Sequence, residues 1–187
     1  MLQKSETWIF KILKLVPCFF IVSYVNIDGV AMTLSAKQNE LDQFYMQQAL
    51  FEAGEAFEKG EVPVGAVLVF DNEIIARAHN LRETSGDPTA HAEVLVLRQA
   101  SQLRQHWRLT GTTLYCTLEP CPMCAGALVQ ARVSRLVYGT ADPKAGAAGS
   151  LLNLVQDERL NHRLEVTTDI LAEDCAGILK RFFRERR

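Results

Sequence analysis

The sequence predicts an α/β domain of three layers, a mixed five-stranded sheet packed between helices. Three observations predict it. Short apolar runs at 66–70, 73–78, 112–118, 135–140 and 164–168 alternate with segments of helical period. The first two runs are separated only by Asp71-Asn72, a turn pair, so they form a hairpin. The chain has 187 residues, 48% of them apolar and 22% charged, the balance of one ordinary globular domain with a real core.

Taken in order, the chain starts with Lys4, Lys11 and Lys14 before an apolar run at 15–25 that contains Pro17. That run is shorter than the roughly 20 residues a spanning helix needs. It has the outline of a targeting segment, a charged start and an apolar centre, but no clear small-residue cleavage site follows. A chain beginning at Met32 would be complete. The expectation is therefore an extension at 1–31, from an over-long start or a targeting segment, and the domain itself at 32–187. N-terminal sequencing of the natural protein decides between them. A helix is expected over 41–59, with Met46, Leu50, Ala53 and Phe57 on one stripe and Gly60 as its stop. The hairpin at 66–78 follows, then a polar loop at 80–88. A second helix is expected to begin at Asp87 or Thr89, run to about 102 and carry His91 and Glu93 in its first turn. After the strand at 112–118 a helix rich in small residues runs to about 133, able to pack closely on a sheet. A strand at 135–140, a Gly/Ala loop at 142–150, a short apolar turn at 151–155 and a strand at 164–168 come next. The last helix starts near Ile170, with Leu171, Cys175, Ile178 and Phe182 at helical spacing.

The chemistry concentrates in Glu119-Pro120-Cys121-Pro122-Met123-Cys124. Pro122 suits a first helical turn, where its missing N–H has no partner in any case. Residues three apart share a helix face, so both thiols can point at one ion. The positive end of the helix favours the thiolate form that binds metal. Two thiolates leave a tetrahedral zinc site unfilled, and His91 upstream supplies a third ligand. Three protein ligands leave room for water, as catalytic sites do, and bound zinc lowers that water's pKa to near ~7. Glu93, two residues beyond His91, can take a proton from the water and hand it to a leaving amine. The order H-x-E followed by P-C-x-x-C is the known signature of the zinc nucleobase deaminases. Five cysteines, an odd number with one tight pair, argue against a disulfide framework and for a reducing cytoplasm. Cys116 and Cys175 are expected to be buried packing residues.

These motifs place the chain in resemblance to the cytidine deaminase-like superfamily. Further stretches narrow it: Gly60-Glu61-Val62-Pro63-Val64-Gly65, Asn80, Asp87-Pro88-Thr89-Ala90, Asp142-Pro143-Lys144, Gly146-Ala147-Ala148-Gly149-Ser150-Leu151, Asn161-His162-Arg163 and Phe182-Phe183-Arg184. Over residues 40–187 these resemble the bacterial tRNA-specific adenosine deaminases. The resemblance implies a cytidine deaminase-like fold, one zinc ion per subunit, a homodimer and no membrane. It implies conversion of adenosine to inosine at the wobble position of an arginine tRNA, with the target base flipped out of the anticodon loop. By position it makes Asn80 a partner of the flipped nucleotide and the backbone of Ala90 a support for the base. It sets Asp142 and Lys144 near the anticodon stem-loop, together with Phe183, Arg184 and Arg186 of the last helix.

Plainer readings stand beside these. Asn80 can cap a turn, and the basic terminus can be a solvated helix end that complements the dipole. The formal net charge of −2 excludes a strongly basic footprint over the whole protein but not a local patch. Two rival functions remain: a zinc deaminase of a free base or nucleoside such as guanine or cytosine, and an RNA-binding zinc module without catalysis.

Overall fold

The computed structural model describes residues 24–25, 31–32 and 34–186. The chain divides between Gln38 and Asn39 into two units. In the first, β1 (Tyr24–Val25) pairs antiparallel with β2 (Ala31–Met32). The expectation for 1–31 otherwise lies outside the described residues.

Helix α1 (Leu34–Glu58) starts seven residues before the expected 41. Residues 35–40 are exposed and mostly polar, with the helix formers Ala36, Lys37, Gln38 and Glu40 among them, so no apolar period marks them. Its buried face runs through Tyr45, Met46, Ala49, Ala53 and Ala56. Leu50 and Phe57, expected on the stripe's centre, are half-buried at its margin.

Strands β3 (Gly65–Phe70) and β4 (Glu73–His79) form the expected hairpin. Asp71 and Asn72 turn the chain with φ of 50° and 62°, the paired positive values of a tight hairpin loop. The polar loop after β4 contains one unexpected helical turn, α2 (Arg82–Ser85), ended by Gly86 in the left-handed region. Helix α3 (Ala92–Arg104) begins later than expected, with His91 as its N-cap and not inside its first turn. The extra residues 87–91 are held in a turn, in which Asp87 accepts from both the N–H and the hydroxyl of Thr89. Then come β5 (Thr113–Leu118), α4 (Pro122–Ala131), β6 (Arg135–Thr140), β7 (Glu165–Thr167) and α5 (Ala172–Glu185).

The sheet is five-stranded, in the order β4-β3-β5-β6-β7. β3 is antiparallel to β4 and β5, while β5, β6 and β7 are parallel. Strand alternation then divides the core. Val67, Val69, Tyr115 and Val137 meet Tyr45, Met46 and Ala49 of α1 and Cys175 of α5. Leu68, Leu114, Cys116 and Leu136 meet Val96 and Leu97 of α3 and Leu128 and Val129 of α4. Each such fully buried side chain contributes roughly 1.5–3 kcal/mol. The result is the expected mixed sheet between two helical layers, and Cys116 and Cys175 are packing residues within it.

A buried ion pair fastens α1 to the sheet. Asp42, 2% exposed, accepts from Arg135 Nη1 at 2.8 Å and Nη2 at 2.7 Å, and from the Tyr115 hydroxyl at 2.8 Å. Arg135 also donates to Thr167 Oγ1 at 2.8 Å, so one carboxylate and one guanidinium join α1, β5, β6 and β7. Asp42→Ala would leave this largely buried guanidinium with the Thr167 hydroxyl and, as its nearby charge, the exposed Glu165 at 3.7 Å. The expected loss is about 3–5 kcal/mol in urea unfolding; a loss under about 1 kcal/mol would show the pair to be a surface-grade bond.

One edge of the sheet collects the functional segments. Gly65, first in β3, lies opposite His79, last in β4, and its N–H donates to Thr117 Oγ1 near the end of β5. The loops that leave this edge lead to His91 and to Cys121.

Candidate metal centre

His91 and Cys121 are both N-caps in extended conformation, of α3 and α4 respectively. Pro122 occupies the first turn of α4, as the sequence predicts, and Cys124 faces the same way as Cys121 one turn along. Two positive helix ends therefore converge on one point, which suits thiolates. His91 Nδ1 stands 3.7 Å from Cys121 Sγ and 3.5 Å from Cys124 Sγ, and the sulfurs are 3.7 Å apart. A tetrahedral ion with metal–ligand bonds of about 2.0–2.3 Å holds such donors about 3.5–3.8 Å apart. The donor set thus fits a metal ion, and among the described residues it is the group of His, Cys, Asp and Glu that does so.

The cluster favours a thiolate. The Cys121 thiol is brought down to about 4, first by the hydrogen bond it shares with Cys124, against the pull of burial, and then by His91. Cys124 is pushed up by that same shared bond and by burial. His91 is raised, first by its bond to Cys121. Glu93, in the first turn of α3, is 4% exposed, and burial raises its carboxyl. That carboxyl touches its own backbone N–H and the Cys124 thiol. A carboxyl in this place can take a proton from one neighbour and release it to another.

Asn80, His91, Glu93 and Cys121 line one small cavity of about 160 Å³. An adjoining groove of about 800 Å³ is largely apolar and carries Asp142, Lys144, Phe183 and Arg184. Val62, Leu118 and Asp142 line both. Two of the expected site residues have contacts of their own outside these cavities. The Ala90 N–H donates to Asp87 O, and its carbonyl accepts from Leu81 N–H, so both backbone groups already have partners. Arg186 does not line the groove; its guanidinium covers the Phe182 ring at 4.1 Å. Phe183 is 51% exposed at the groove, while Phe182 is buried against Phe57.

Two buried carboxylates that sequence reasoning missed build the walls. Glu61, fully buried, accepts from Thr84 N–H at 2.6 Å, Glu83 N–H at 3.2 Å and Asn80 Nδ2 at 3.4 Å. It thereby holds α2 and the Asn80 amide. Glu119 accepts from the N–H groups of Asp142, Ala148 and Ser150 and from the Ser150 hydroxyl. A side chain at Gly146 would collide with this carboxylate, so the loop closes only with glycine there. The available signal was a charged residue at each end of an apolar stretch, beside Val62-Pro63 and Pro120.

Burial by itself would raise the Glu61 carboxyl, but the hydrogen bonds from Thr84 and Glu83 outweigh it and leave it below its usual 4.5. A lowered folded value means a stabilising contribution present above the unfolded value and lost as pH falls through the folded one. Glu61→Gln is expected to cost about 1–3 kcal/mol at pH 7. The gap from wild type should close as unfolding is followed from pH 5 to pH 3, and a gap constant over that range would contradict the assignment.

Comparison with known proteins gives the following. Residues 40–187 match the MafB19-like deaminase family. A tRNA-specific adenosine deaminase of Bacillus subtilis is 58% identical over 146 residues, 78% of this chain and 91% of that protein. One from Haemophilus influenzae is 47% identical over 157 residues, 83% of this chain and 91% of that protein. A solved structure from work on A-to-I editing by tRNA:A34 deaminases at the wobble position superposes with TM-score 0.71 and 44% identity, covering 73% of this chain and 99% of that one. A guanine deaminase from Bacillus subtilis superposes with TM-score 0.53 and 39% identity, covering 58% and 69%.

Proposed function

The chain belongs to the MafB19-like deaminases, and within them to the tRNA-specific adenosine deaminases, and from that premise we propose that it hydrolyses adenosine to inosine at the wobble position of an arginine tRNA. The observation that carries the reading is the joining of the two cavities. The small one is lined by His91 and Cys121 of the metal-fitting triad and by a buried carboxyl, with room for little more than a base. The large one beside it offers an aromatic face and cations to the nucleotides that flank a flipped base.

His91, Cys121 and Cys124 would hold one zinc ion per subunit, the metal that two sulfurs and an imidazole select. When bound, zinc supplies Lewis-acid activation of water, bringing its pKa to about 7. Glu93 takes the proton that water gives up and delivers it to the purine, so that ammonia departs as a neutral amine. Asn80, fixed by Glu61, presents its amide to the nucleotide. Phe183 stacks on a base while Lys144 and Arg184 meet phosphates, with Asp142 at the partition between the cavities. The Ala90 backbone supports the base, and Arg186, just past the end of α5, meets phosphate. Among the described residues no helix is long and apolar enough to cross a membrane. The reading further includes work in the cytoplasm, where thiols stay reduced, and a homodimer.

The test is purified protein with an anticodon stem-loop bearing a wobble adenosine, followed by mass measurement for inosine, alongside free guanine, cytosine and their nucleosides. Inosine at the wobble base supports the reading. Turnover of free bases alone would make the chain a free-base deaminase, and no product from any would make it a binding module. Phe183→Ala is expected to raise KM for the stem-loop about 5- to 100-fold through lost stacking, with kcat at saturation nearly unchanged.

A further inference from the structure

Away from the metal centre, three side chains form a relay at the C-terminal end of α1. The exposed Lys59 sets its Nζ 2.8 Å from His79 Nε2. His79 Nδ1 lies 2.9 Å from Glu52 Oε2. The imidazole and the carboxylate are largely buried, at 13% and 8% side-chain exposure. A carboxylate only accepts, so its bond to Nδ1 places a hydrogen there, and a lysine amine in hydrogen-bond contact with Nε2 as donor meets that nitrogen as an acceptor. That leaves the Nε2 lone pair facing the lysine. A carboxylate, an imidazole and a nucleophile in that order are the parts by which a general base strips a proton from an attacking group.

Two guanidiniums lie near the relay, one against its carboxylate and one against the residue that follows its lysine. Arg77 Nη1 is 3.9 Å from the other Glu52 oxygen. Arg186 Nη2 reaches to 2.6 Å from the place a Cβ on Gly60 would occupy, next to Lys59 in the chain. Guanidinium groups recognise phosphate oxygens by paired hydrogen bonds.

From this arrangement we infer that Lys59 is an acylation site that takes its acyl group from an acyl phosphate. Lys59 enters as an ammonium. One proton passes to His79 Nε2 and on to solvent, and Glu52 stabilises the imidazolium meanwhile. The amine's lone pair forms the Nζ–C bond, the C–O bond to phosphate breaks, and its electron pair leaves with the phosphate. A second amine proton departs with that phosphate, and the third stays on the amide nitrogen. Arg77 and Arg186 hold the phosphate, which favours the acyl phosphate over an acyl thioester. The product loses one positive charge beside the catalytic edge, since His79 directly precedes Asn80.

The full-length protein is incubated with acetyl phosphate at pH 7.5, in parallel with acetyl-coenzyme A, and each lysine is followed by peptide mass spectrometry. Lys144 and Lys180, both exposed, serve as comparators in the same sample. Lys59 is expected to react at least about 10-fold faster than they do, a modest share of what a positioned base can give. His79→Gln should bring it down to their rate, and Glu52→Gln should do so in part. In urea the advantage of the wild-type lysine should vanish, which separates the folded relay from local sequence without recourse to a variant. Lys59 reacting no faster than the comparators, keeping its lead in His79→Gln, or keeping it in urea would each overturn the inference. Equal rates with the thioester would overturn the choice of acyl phosphate.

Discussion

Glu93→Gln is expected to keep its metal and lower the rate of deamination about 10²- to 10⁴-fold, the usual worth of a positioned acid–base group. Glutamine fills nearly the same volume in a site that is 4% exposed, so the cavity should survive. What it removes is the ability to take a proton and give it back. Glu93 lies in the same cavity as His91 and Cys121 but is no part of the metal-fitting triad. Metal content by mass spectrometry should therefore stay at one per chain, and RNA affinity should be little changed. Since the step lost is in chemistry, kcat and kcat/KM should fall together. A variant within a factor of a few of wild type would remove Glu93 from the mechanism.

Cys124→Ser should have the other large effect, loss of the metal and of all measurable activity. Serine keeps the size but offers a poor ligand in place of a thiolate. Cys124 is fully buried on α4, so no side chain from solvent can take its place. Bound structural metals in small domains contribute free energies of about 10–16 kcal/mol in favourable cases. The melting temperature should fall with the metal, and a chelator should lower that of wild type but leave the variant's unchanged. One metal per chain in the variant would mean that the ligand set is wrong.

Much of this site was legible because its ligands are chemically rare and closely spaced. Cys121 and Cys124 are three apart, and Pro122 announces the helix that aims them. The strands were legible too, since Asp71-Asn72 is strong turn chemistry and the apolar runs are short. The helix starts were not. Residues 35–40 carry no apolar period, and His91 caps α3 because the Asp87–Thr89 turn takes up residues that could equally have opened the helix. Long-range polar partners were invisible for a different reason. Asp42 and Arg135 are 93 positions apart, Glu61 and Thr84 are 23 apart, and nothing local marks either pair. A buried carboxylate is read from sequence as a surface residue until the fold supplies its donors. The contact of the Arg186 guanidinium with the Phe182 ring is likewise unmarked in the sequence.

Val62, Leu118 and Asp142 stand as a party wall between the reaction chamber and the groove outside it. A change of size at any of the three alters both rooms, so selection for a new substrate at these positions would be felt at once as a change in turnover. Variation that broadens target choice without that penalty has to enter from the far bank, at Ala176, Leu179 or Lys180, which line the groove alone. Libraries built on those three should yield altered RNA preference at undiminished speed far more often than libraries built on the wall.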